Sequence, residues 1–117
     1  MHIDIQATSL TLTEALQNHI DRRMRMILAR VGQRITRVIV RLSDVNGPKG
    51  GCDKVCKIEI RLSGLPDVVI EDVQADLYLA IDRAAARAGR TLARRIETPL
   101  ARRRTGLLES GGELRRT

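Results

Sequence analysis

The sequence predicts an α+β fold in the order β-α-β-β-β-α, a single four-stranded sheet with two helices packed on one of its faces. Three observations carry that expectation. An apolar stripe of helical period lies near each end of the chain, segments of alternating β-branched residues lie between them, and the connections after the second and third strands are too short for crossovers. A length of 117 residues suits one domain.

Residues 2 to 6, HIDIQ, alternate with Ile3 and Ile5 on one side, the pattern of a short half-buried strand. A helix start follows. Thr11 and Glu14 have the spacing of a capping box, and Thr13 is the other candidate cap. At 100° per residue, Leu16, Ile20, Met24, Ile27 and Val31 fall within about 80° of one another, and Gly32 suits the helix end. Residues 35 to 42, ITRVIVRL, set Val38, Val40 and Leu42 against Arg37 and Arg41 as a second strand. Residues 44 to 53, DVNGPKGGCD, form a loop to which no task is assigned. No Lys-Ser or Lys-Thr closes it as a phosphate loop, and a strand follows it rather than a helix.

That third strand, residues 54 to 62, places Cys56, Ile58, Ile60 and Leu62 on one face. After a turn at residues 63 to 66, DVVIEDV supplies a fourth. Strands two, three and four are then antiparallel neighbours, whereas the helix between strands one and two permits a parallel pair. The last helix runs from about Ala75 to Ile96, with Asp76 in its first turn and a buried stripe of Leu77, Ile81, Ala84, Ala88 and Leu92. Pro99 ends regular structure. Residues 99 to 117, with Arg102 to Arg104, read as a flexible basic tail.

Composition narrows the function. There is no Trp or Phe and one tyrosine, Tyr78, so the core is aliphatic and no platform for base stacking is expected. Cys52 and Cys56 fit neither a zinc knuckle nor a redox pair, and His2 and His19 bring no further ligands, so no metal or cofactor is expected. Asp72 and Asp76 have no histidine or ligand set beside them, and capping explains acids near a helix start; the chain does not read as an enzyme. No apolar run is long enough for a membrane span and residues 1 to 20 lack a basic-then-apolar leader, so the expected setting is cytoplasmic, with no membrane partner.

Charge points to a polyanion. Lys and Arg number 21 against 14 Asp and Glu, a net charge of +7, and 18 of the basic residues are Arg, whose planar fork matches phosphate. Residues 64 to 82 hold five acids and no base, while residues 83 to 104 hold eight Arg and only Glu97. Arg83, Arg87, Arg90 and Arg94 share one helical edge within about 60°, a repulsive row with no acidic partner at i±4 within it. Arg22, Arg23, Arg25 and Arg30 lie outside the apolar stripe of the first helix. Such a layout suits recognition of folded RNA by shape and phosphate. The rival expectation is a basic modulator that binds an acidic protein of the transcription apparatus.

The helix start DLYLAIDRAA, with Asp76, Tyr78, Ala80, Ile81 and Asp82, resembles the signature of the ribosome hibernation factor family, the hibernation promoting factor and the ribosome-associated inhibitor. The opening HIDIQATSLTLTEALQNHI and the strands VIVRLSD and KIEIRL fall in the same order, and the resemblance covers about residues 1 to 98. It implies a ribosome-binding domain over residues 1 to 98 that presents basic residues to the rRNA of the small ribosomal subunit. Such a domain would occupy the mRNA and tRNA channel at the decoding region and inhibit translation in stationary phase or stress. It carries Arg23, Arg87, Arg90 and Arg94 over as rRNA-binding; Arg22, Arg25, Arg30 and Arg83 join them on charge and spacing. The chain lacks the extra C-terminal domain of the long forms and the acidic extension of the inhibitor, so it resembles the short form. Ribosome dimerisation would then fall to a separate ribosome modulation factor.

Overall fold

The computed structural model describes residues 3–29, 34–45 and 53–96. It contains β1 (Ile3–Thr8), α1 (Glu14–Leu28), β2 (Ile35–Asp44), β3 (Lys54–Leu62), β4 (Val68–Gln74) and α2 (Leu77–Ile96), in the expected order. The strands lie side by side as β1-β2-β3-β4, with β1 and β2 parallel and the other neighbours antiparallel.

Register explains where the core forms. Val40 stands opposite both Ile5 and Ile58, and Ile58 opposite Ile70, so one continuous apolar row crosses all four strands. Both helices cover that side: Leu16, Ile20, Met24 and Leu28 of α1 and Ala80, Ile81, Ala84, Ala85, Ala88 and Leu92 of α2 are buried against it. Four buried alanines let the α2 backbone approach the sheet closely.

Several boundaries differ from the pattern-based ones. The α1 cap is Thr13, whose Oγ1 accepts from the Leu16 amide at 3.2 Å. Leu28 is buried where the stripe included Ile27, which is half-buried because it turns toward α2. Asp76 sits before α2 rather than in its first turn, and its Oδ1 accepts from the Tyr78 amide at 3.1 Å. The hairpin between β2 and β3 closes with the Val45 amide donating to the Asp53 carbonyl at 3.0 Å. The expectations for Arg30, Val31, Gly32, most of the 44–53 loop and the 99–117 tail lie outside the described residues.

Candidate nucleic-acid-binding face

The two helices run in the same direction. His19 of α1 meets Tyr78 and Asp82 of α2, Arg23 meets Asp82, and a Cβ on Gly89 would stand 3.4 Å from Ile27, so contacts ascend together along both helices. At their seam Asp82 Oδ1 lies 2.7 Å from His19 Nε2 and 2.9 Å from Arg23 Nε. The Arg23 Nε proton makes no well-aligned hydrogen bond, so that contact is an ion pair by distance alone. The His19 ring stands edge-on to Tyr78, centroids 4.9 Å apart.

This seam is not paired in the sequence, where Asp82 stands as one acid of an acidic stretch and as part of the DLYLAIDRAA resemblance, without a partner on α1. A usable signal existed. His19 and Arg23 flank the α1 stripe on one side, as Tyr78, Asp82 and Gly89 flank that of α2, and two stripes on one sheet face must meet along their flanks.

The structure divides the arginines chosen from the sequence. Arg22, Arg83 and Arg90 are exposed and have no partner among the described residues. Arg94 is exposed and, among the described residues, reaches only Thr91 Oγ1, at 3.4 Å. Arg87 turns toward the sheet edge, donating from Nη1 to the Glu71 carbonyl at 2.8 Å and to Asp72 Oδ2 at 3.3 Å, so β4 supplies the acid that helical spacing did not. Arg23 is held at the seam. Arg25 lies on the α1 flank away from α2 and pairs with Asp21 at 2.9 Å, a hydrogen bond that raises the arginine pKa above its ordinary value. Arg30 lies outside the described residues. A further arginine, Arg95, was not chosen; it donates to the Pro66 and Asp67 carbonyls at 2.7 and 2.6 Å and, with Arg87, covers the outer edge of β4.

The sheet face away from the helices is charged but internally matched. Arg37 pairs with Asp4 at 2.9 Å, and Glu59 receives Arg41 at 3.1 Å and Arg61 at 3.2 Å. Those two guanidinium hydrogen bonds, Arg41 first, pull the Glu59 pKa below the ordinary carboxylate value. Ile39 is only 2% exposed although it faces this side, where Asp4 and Glu59 stand opposite it and Arg37 and Arg41 lie two residues away along β2. In the core, burial and then Asp72 push the Cys56 thiol up to about 12, so it stays protonated and acts as a small apolar side chain. Among the described residues no group of three His, Cys, Asp or Glu could hold a metal ion, and no helix is long and apolar enough to cross a membrane.

Comparisons with known proteins place this architecture. The crystal structure of the Thermus thermophilus Protein Y N-terminal domain is 27% identical, with 80% of this chain and 98% of that one covered and a TM-score of 0.67. A ribosomal subunit interface protein from Coxiella burnetii is 15% identical, with 80% and 96% covered and a TM-score of 0.68, a likeness of fold. No curated protein sequence matches the chain. Residues 3–98 match the family described as Sigma 54 modulation protein / S30EA ribosomal protein. Match, element order and α2 motif agree: the chain belongs to that family, the ribosome-associated one to which the hibernation factors also belong.

Proposed function

We propose that this protein is a ribosome hibernation factor whose domain over residues 1 to 98 binds the small ribosomal subunit at the decoding region. Bound there, it excludes mRNA and tRNA and inhibits translation in stationary phase or stress, acting in the cytoplasm by occupancy rather than chemistry. One observation carries the reading: two parallel helices present unpaired Arg22, Arg83 and Arg90 on a surface where residues 22 to 29 and 83 to 96 contain no acid. Guanidinium groups left without internal partners suit rRNA phosphates, whose counterions they release on binding.

The test is cosedimentation of the purified chain with isolated small subunits, followed by chemical footprinting of their rRNA. Protection confined to the decoding region, with loss of initiator tRNA binding, is the expected result. Free protein at the top of the gradient at low salt rejects it. The family description also names sigma 54 modulation, so an acidic transcription partner is the second reading; binding to such a protein with no rRNA protection would favour it.

A further inference from the structure

The arginine rows differ in how much of each guanidinium is free, and on α2 the free ones stand nearer the seam than Arg87 and Arg94. Turning about 100° per residue away from the α1-facing side of α2, Ala86, Leu79, Arg90 and Arg83 come first, and Arg94 and Arg87 follow toward β4. On α1 the solvent-side positions beside α2 are Arg22 and Met26. The outer lips of the seam are thus Arg22 and Met26 on one side and Leu79, Arg83, Ala86 and Arg90 on the other. Asp82, the acid of this seam, already lies against His19 and Arg23.

We propose that this furrow binds an unpaired stretch of RNA, its phosphates against Arg22, Arg83 and Arg90 and the apolar face of a base or ribose against Met26. The inference rests on the rRNA-binding reading above and specifies the form of RNA recognised. Met26 is 68% exposed, and Leu79 is exposed on the same side of the helix pair, nearer the level of His19. A thioether this exposed adds little to the core and nothing to a purely ionic contact. An A-form duplex keeps its bases stacked and shows such a surface mainly phosphate and 2′-hydroxyl groups, so it leaves Met26 without a partner. An unpaired strand offers both chemistries at once. Charge alone argues the other way, because a duplex carries the denser phosphate array. Preference for a single strand is therefore a signature of the apolar contact. Arg87 is assigned a different role here, bracing α2 on β4.

The experiment is fluorescence anisotropy of the full chain, at low salt, with an unstructured oligouridylate of about twelve nucleotides and with a duplex of equal length. Single-strand binding tighter by about threefold or more is expected, with that preference lost in Met26→Ala and kept in Met26→Leu. Equal or tighter duplex binding overturns the inference, as does an unchanged preference in Met26→Ala. If neither RNA binds while the chain still cosediments with small subunits, this inference falls and the ribosome-binding reading stands. If cosedimentation fails as well, the parent reading has failed.

Discussion

On the outer face of the sheet, Arg37, Arg41 and Arg61 each lie within 3.2 Å of a carboxylate oxygen, whereas Arg22, Arg83 and Arg90 on the helices have no partner among the described residues. Both faces carry guanidinium groups at the surface. The difference is what a strand and a helix place next to each one. Asp4 and Glu59 both stand opposite Ile39, which puts them diagonal to Arg37 and Arg41 and, for Glu59, two residues from Arg61, so carboxylates reach these arginines although Arg37 itself stands opposite Arg61. Along α2, positions three and four apart repeat the same charge, and among the described residues only Arg87, at the margin near β4, finds an acid. A count of basic residues treats the two surfaces alike; unpaired valence separates them.

The largest expected effect tests that separation directly. Replacing Arg22, Arg83 and Arg90 together with Ala should weaken small-subunit binding by about tenfold to a hundredfold and make the slope of log affinity against log salt shallower by about 2. The matching triple change at Arg37, Arg41 and Arg61 should leave affinity within about twofold. Equal losses from both variants in a cosedimentation titration would erase the contrast.

A smaller effect sharpens the boundary between the two regions. Arg87→Ala removes the bonds to Glu71 and Asp72, leaving a nearly buried carboxylate with only Gln74, whose Nε2 donates to it at 2.7 Å. Urea unfolding should show a loss of about 1–3 kcal/mol, with RNA affinity changed less than about twofold. A stable variant that binds RNA poorly would instead put Arg87 among the ligand contacts.

The smallest effect belongs to the sheet face. Because Glu59 has a lowered pKa in the folded chain, its ion pairs contribute stability above the ordinary carboxylate pKa and lose it as pH falls through the depressed value. Glu59→Gln should be less stable than the parent at neutral pH, the two converging in acid. A difference independent of pH, followed by thermal unfolding, would mean that packing over Ile39 matters more than charge.

Much of this molecule was legible in one dimension. The boundaries of β3 matched to the residue because KVCKIEIRL alternates without interruption between two turns. Helix α1 was placed by its stripe, although the choice between Thr11 and Thr13 as cap needed the backbone. Arg95 was unreadable as a brace: its role depends on the Pro66 and Asp67 carbonyls, nearly thirty residues upstream. Arg25 looked like its neighbours in charge, yet it faces away from α2, and only the packing of α1 on the sheet sets which flank that is.

Periodicity and turn chemistry by themselves determined the order of elements, the aliphatic core and the excess of arginine on α2, because each is a property of residues a few positions apart. Tertiary structure decided which guanidinium groups remain available. Availability depends on acids and carbonyls brought close by register and helix packing, and those distances, 2.7 Å from Asp82 to His19 or 2.8 Å from Arg87 to Glu71, arise between residues 63 and 16 positions apart.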